Sequence, residues 1–151
     1  MSLKSSIFSV AGPATLLALN VAAALTVAAP LHAQPLVLGK PVASSEGLVR
    51  TLLERHVDEQ GNEFDLILDV FPPGIIVPAH HHPTTGLNYI LEGAAESQYE
   101  GEPLRHLAAG DSFQDHADIR HVMFRNPDPD RPLKILISFE VKKGQAFFIA
   151  P

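Results

Sequence analysis

Three consecutive histidines, His80-His81-His82, and a more distant His121 are the residues of this chain best suited to chemistry. Neutral imidazole is the commonest protein ligand for metal ions, and side chains two positions apart on a β-strand leave the same face. His80 and His82 can therefore converge on one ion, whereas His81 points the other way. This arrangement predicts a metal site.

The elements that position these histidines are predicted to be β-strands. From Leu48 onward, short apolar runs alternate with turn pairs roughly 8–12 residues apart, which is typical of sandwiches and barrels. Strands are predicted over residues 64–70 and 133–141, whereas residues 50–57 fit a strand or a short helix. The residues that share a face are Phe64, Leu66, Leu68 and Val70 in the first strand, and Leu133, Ile135, Ile137 and Phe139 in the second.

The first 33 residues have the composition of an export signal. Lys4 gives a weakly positive start, a long uncharged stretch rich in Ala, Leu and Val follows, and cleavage is predicted after Ala33. We therefore expect a periplasmic or secreted protein with a signal peptide at 1–33, an N-terminal arm at 34–47 and one domain at 48–151. A retained membrane anchor is the alternative, because the apolar stretch is just long enough to span a bilayer.

Composition excludes several classes of function. The formal net charge of −6 at pH 7 opposes binding to nucleic acid or to anionic lipid. The chain has no cysteine, no serine in a nucleophile-elbow motif and no glycine-rich phosphate loop. We therefore expect a small-molecule ligand or substrate, no nucleic acid, and no association with a membrane once the signal is cleaved.

The spacing around the histidines resembles the first motif of the cupin family, Gly-x5-His-x-His-x3-4-Glu-x6-Gly. Gly74, His80, His82 and Gly93 stand at matching positions. The glutamate of the motif, which supplies a metal ligand in cupins, is replaced by Gly86. Glycine has no side chain to coordinate an ion, so this departure bears on the metal site rather than on the fold.

The second cupin motif is partly present. Gly110 opens it and His121 stands at the position of its metal-binding histidine, although the Pro-x-Gly turn of the motif is missing. The resemblance covers about residues 48–151 and implies an all-β cupin β-barrel, also called a double-stranded β-helix or jelly roll. It also implies that the metal ligands are His80, His82 and His121.

A set of three histidines carries no anionic ligand and leaves one side of the ion open to water, substrate or oxygen. By the resemblance we expect a divalent ion, Fe(II) first and Mn, Ni or Zn as alternatives. The candidates to replace the missing glutamate are Asn88, Gln98 and Gln114, and the candidates to steer a proton are Asn88, Gln98 and His116.

The resemblance implies an exported, metal-binding cupin that acts on a small organic molecule, with a three-histidine dioxygenase-type oxidoreductase as the first expectation. One alternative is a non-catalytic cupin that binds or senses a small molecule. The other is a metal-assisted lyase or isomerase, ranked last because no strong carboxylate base is visible within the motif. By analogy with small cupins we also expect a homodimer, with residues 34–47 as a pairing arm.

Overall fold

The computed structural model describes residues 36–150, and the predicted signal peptide and its cleavage site lie outside that range. No helix among the described residues is long and apolar enough to cross a membrane. The strands of this part of the chain are β1 (Pro41–Ala43), β2 (Val49–Val57), β3 (Asn62–Phe71), β4 (Ile76–Val77), β5 (Leu87–Glu92), β6 (Ala94–Tyr99), β7 (Arg105–Ala108), β8 (Ser112–Gln114), β9 (His121–Arg125) and β10 (Leu133–Lys142).

The strands form two sheets in which every neighbouring pair is antiparallel. The larger sheet has the order β1-β2-β3-β10-β5-β8 and the smaller has the order β4-β9-β6-β7. The all-β prediction is confirmed, and the undecided segment 50–57 belongs to strand β2, which pairs with β3. Part of the predicted N-terminal arm is strand β1, paired with the start of β2.

The hydrophobic core lies against the inner face of the larger sheet, and β10 contributes most to it. Leu133, Ile135, Ile137 and Phe139 alternate along this strand and are all buried, in agreement with their predicted common face. β10 lies between β3 and β5 and pairs with both, so its side chains reach the centre of the core.

The apolar face of β3 is not its core face. Phe64 is 40% exposed, whereas Asp65 and Asp69 on the opposite face are 3% and 0% exposed. Each aspartate is paired with an arginine of β2: Arg50 donates to Asp69 from Nε at 2.9 Å and from Nη2 at 2.8 Å, and Arg55 donates to Asp65 at 2.7 and 2.6 Å. These ion pairs allow charged side chains to occupy the inside of the barrel, because buried charges are tolerated when they are paired and hydrogen-bonded.

Backbone pairing brings three distant parts of the chain together. The segment after β4 continues alongside β9, where the His80 N–H donates to His121 O at 3.1 Å and the His121 N–H donates to His80 O at 2.9 Å. His81 pairs in the same way with Ile149, with both hydrogen bonds at 3.0 Å. The C-terminal tail that follows β10 is thereby held against the histidine segment.

Candidate metal centre

The structure brings His80, His82 and His121 into one buried cluster. One ring nitrogen of each lies within 4.8 Å of the others. His80 Nε2 and His82 Nε2 are 3.1 Å apart. His81, which was expected to point the other way, is not part of this cluster.

The hydrogen bonds of the His80 and His82 rings fix where their lone pairs point. His80 Nδ1 is 2.8 Å from Pro78 O, and His82 Nδ1 is 3.1 Å from Phe147 O. A carbonyl oxygen only accepts, so each Nδ1 carries the hydrogen and each Nε2 of a neutral ring carries a lone pair. Two lone pairs therefore face each other across 3.1 Å. That contact is repulsive unless a proton or a metal cation lies between them.

Burial opposes the proton. It lowers the pKa of His80 to about 4 and the pKa of His121 to about 2, and it lowers the pKa of His82 against the opposing attraction of Asp115. All three rings are consequently neutral near pH 7, which is the form that binds metal ions. Ligating histidines typically donate their second N–H to a backbone carbonyl, as His80 and His82 do here. The donor set therefore fits a divalent ion.

Aromatic side chains and a hydroxyl hold the third ring. Tyr99 stacks on His121 with the ring centroids 4.1 Å apart and the planes at 14°. Ser97 Oγ lies 2.9 Å from His121 Nε2, and His121 Nδ1 is buried without a hydrogen-bond partner among the described residues. Phe148 stacks on His80 at 4.3 Å. The rings are thus fixed by neighbours before any ion binds.

Asp115 is a site residue that the sequence interpretation missed. It follows β8, its backbone N–H donates to Gly86 O at 2.9 Å, and it is 4% exposed. Its Oδ1 accepts a hydrogen bond from Tyr99 OH at 2.8 Å and lies 3.7 Å from His82 Nε2. Among the described residues, no arginine or lysine lies within ion-pair distance of this carboxylate. β8 pairs with β5 in a register that places Asp115 opposite Gly86. Knowledge of that pairing would have identified Asp115 as a site residue.

Asn88 is the one predicted helper that the structure places at the cluster. It faces inward from β5, is buried, and lines the same cavity as the three histidines. Neither its side-chain oxygen nor its nitrogen has a hydrogen-bond partner among the described residues. A buried amide without partners is costly, so Asn88 is available to contact an ion, a water or a substrate.

The other predicted helpers lie outside the cavity. Gln98 alternates with the inward-facing Ser97 on β6, so its side chain points away from the cluster. Gln114 is exposed and precedes the inward-facing Asp115. His116 stacks on the far side of Tyr99, with the ring centroids 4.5 Å apart. None of the three side chains borders the histidine cluster in the part of the chain that the structure describes.

The cluster lies in a small cavity, and a larger groove adjoins that cavity. A cavity of about 50 Å³ contains the three histidines, Asn88 and Asp115, and its other walls are mostly apolar. A groove of about 400 Å³ lies against β1, β2 and the C-terminal tail. Arg50, Phe147 and Phe148 line both spaces and form the wall between them. Pockets for organic ligands are typically about 300–1,000 Å³, so the groove has room for such a molecule and the cavity alone does not.

Part of the chain matches a known family model. Residues 67–140 match the family model described as Cupin domain. No curated protein matches the chain. The matched residues include His80, His82, Asp115 and His121. The two antiparallel sheets are consistent with the cupin jelly-roll fold.

Several solved structures share this fold. The DMSP lyase DddQ from Ruegeria pomeroyi is 26% identical with a TM-score of 0.50, over 58% of this chain and 42% of that chain. KdgF from Halomonas sp. is 24% identical with a TM-score of 0.52, over 66% and 86% of the two chains. An RmlC-like cupin from Shewanella frigidimarina is 21% identical with a TM-score of 0.53, over 70% and 90%. This chain thus spans less than half the length of DddQ.

Proposed function

We propose that this cupin-domain protein is a divalent-metal-dependent enzyme that converts a small organic molecule. The observation that carries the proposal is the pair of lone pairs on His80 Nε2 and His82 Nε2, which face each other at 3.1 Å in a buried site. Burial keeps both rings neutral, so a metal cation is the species that satisfies them. His121 is the third ligand.

The reaction we propose first is oxygen-dependent, of the dioxygenase type. A bound divalent ion supplies Lewis acidity and a template for substrate and oxygen. The chain's own residues provide the surroundings: Phe71, Phe113, Phe124 and Phe147 give the cavity apolar walls that exclude water. Asn88 has a free amide with which to orient a polar group of the substrate.

The three imidazoles are neutral, and Asp115 is the one carboxylate near His82 in this cavity, so a divalent ion here keeps a net positive charge even when that carboxylate is counted. This favours an anionic, chelating substrate such as a diketonate, a catecholate or a carboxylate. Such a molecule would place its chelating end in the cavity and its remaining atoms in the groove beyond Phe147 and Phe148.

The test begins with the metal content of the purified protein, measured by plasma mass spectrometry, and of a His80→Ala/His82→Ala variant. We expect about one divalent ion per chain in the wild type and loss of the ion in the variant. Oxygen uptake is then measured with diketones, thiols and phenolic acids. Wild-type protein that binds no Fe(II), Mn, Ni or Zn ion would refute the proposal. Thermal stabilisation by a compound that is never consumed would instead support a binding or sensing protein.

A metal-assisted lyase or isomerase is the second candidate, and the carboxylate of Asp115 favours it. This group lies 3.7 Å from His82 Nε2 and is positioned to accept a proton from a substrate held in the cavity. The resemblance to DddQ, whose name states that it is a lyase, agrees with such chemistry. Turnover of a substrate under strictly anaerobic conditions would favour this candidate, because a dioxygenase requires oxygen.

A further inference from the structure

The position of the missing glutamate is filled by another residue. A Cβ atom built on Gly86 would lie 2.6 Å from Asp115 Oδ2 and 3.1 Å from Phe147 Cζ. No side chain fits at position 86 while Asp115 keeps its place, because real Cβ atoms do not approach an oxygen so closely. Gly86 does not have a positive φ angle, so its backbone does not require glycine. The glycine is explained by the room that it leaves for Asp115.

The surroundings of Asp115 favour a nearby cation. Its carboxylate is buried, and Tyr99 OH is the one hydrogen-bond donor that contacts its side chain among the described residues. Oδ1 points towards His82 Nε2, which carries a lone pair because Nδ1 of that ring donates to Phe147 O. Asp115 Oδ1 thus lies next to His82 Nε2, which itself faces His80 Nε2 at 3.1 Å. Such an arrangement is stable when a cation occupies the centre.

The distances are close to those of coordination. Two ligand atoms about 2.1 Å from one ion lie about 3.0 Å apart when they subtend 90° and about 3.4 Å apart at the tetrahedral angle. His80 Nε2 and His82 Nε2, which are 3.1 Å apart, fall within that range. Asp115 Oδ1, 3.7 Å from His82 Nε2, lies a few tenths of an ångström beyond it.

We propose that Asp115 completes the metal centre as its anionic ligand, supplying from the end of β8 the carboxylate that Gly86 cannot supply from the start of β5. The inference rests on the proposed metal-dependent function. It assigns a four-ligand centre of His80, His82, His121 and Asp115, in which the carboxylate approaches the ion from the neighbouring strand.

Co²⁺ binding tests this assignment without any substrate. The affinity is measured by competition with a chromophoric chelator, and the visible d–d spectrum of bound Co²⁺ reports its coordination. Asp115→Asn keeps an acceptor for Tyr99 and removes the charge, so we expect at least about a 10-fold loss of affinity and a changed spectrum. Glu102→Gln is the matched control, since it removes one negative charge at His116, outside the cavity. We expect wild-type affinity for this variant.

A variant that moves the carboxylate from position 115 to position 86 provides the decisive comparison. Gly86→Glu alone should lose stability through its contact with Asp115, whereas the double variant Gly86→Glu/Asp115→Ala should fold and recover Co²⁺ binding after Phe147 shifts by a few tenths of an ångström. If Asp115→Asn fails to fold, the double variant decides: a folded double variant that binds no Co²⁺ overturns the proposal.

The outcomes separate this proposal from the proposed function. Wild-type protein that binds no Co²⁺ would overturn both. Wild-type protein and Asp115→Asn that bind Co²⁺ equally, with the same spectrum, would overturn only the role of Asp115 as a ligand. In that case, loss of turnover in Asp115→Asn would identify the carboxylate as the base of a lyase or isomerase.

Discussion

The burial of neutral histidines makes the metal-free protein sensitive to acid, and His121 is the residue to test. Its pKa in the folded protein is lowered to about 2, against 6.5 for an ordinary histidine, because burial and the neighbouring rings disfavour its charged form. The unfolded chain therefore binds more protons than the folded chain below pH 6.5, and the free energy of unfolding falls as the pH is lowered. Between pH 7 and pH 5, a histidine that stays neutral when folded and has an unfolded pKa of about 6.5 loses about 2 kcal/mol.

His80 contributes a similar loss, since its pKa is lowered to about 4, below the lower end of this pH range. The substitution His121→Gln removes one titrating group and keeps a polar side chain beside Ser97. We expect the difference in unfolding free energy between pH 7 and pH 5 to shrink by about 2 kcal/mol in this variant. Any loss of stability common to both pH values cancels in that difference.

The assay is urea unfolding of protein freed of metal by a chelator, followed by circular dichroism at both pH values. His56→Gln is the matched control, because it replaces an exposed histidine on β2 that is not part of the buried cluster. A pH difference in His121→Gln as large as in the wild type would refute the reasoning, since it would mean that His121 is not held neutral by the fold.

Two further predictions concern the walls of the cavity. Phe148→Ala removes the ring stacked on His80, so a chelator should remove the bound ion about 2- to 13-fold faster, as expected from a stacking energy of about 0.5–1.5 kcal/mol. Phe64→Ala on the outer face is the control. Equal rates in all three proteins would mean that the Phe148 ring does not help to retain the ion. Asp69→Ala leaves Arg50 without its partner in the interior, so the free energy of unfolding, measured with urea at pH 7, should fall by about 3–5 kcal/mol. A fall of less than about 1 kcal/mol would mean that the pair behaves like an exposed ion pair.

The sequence was sufficient to predict the elements whose pattern is local. The spacing of His80, His82 and His121 matched two motifs, and the structure brings the three rings together. The alternation of Leu133 to Phe139 correctly marked a core strand, because apolar side chains at every second position bury one face of a strand whatever the neighbours are.

Features that depend on contacts between strands were not predictable in this way. Alternation along β3 correctly placed Phe64, Leu66, Leu68 and Val70 on one face but did not show that this face is the outer one. The inner face carries Asp65 and Asp69, which arginines of β2 neutralise. Asp115 was missed for the same reason. Its approach to Gly86 depends on how β8 aligns with β5, which neither strand reveals alone. Likewise, nothing in the sequence around Phe148 indicates that the tail folds back onto His80.

Gly86 and Asp115 have to be interpreted together. Negative charge near the ion stabilises a centre of neutral imidazoles, and the ion responds to the position of the oxygen atom and not to the strand that supplies it. Two neighbouring antiparallel strands can each reach that position, and the 2.6 Å contact means that both cannot do so at once. Loss of the glutamate from the first motif is therefore compatible with a complete metal centre when the paired residue of the neighbouring strand is acidic. A glycine at this position next to a non-acidic partner would instead indicate a cupin that has lost its anionic ligand.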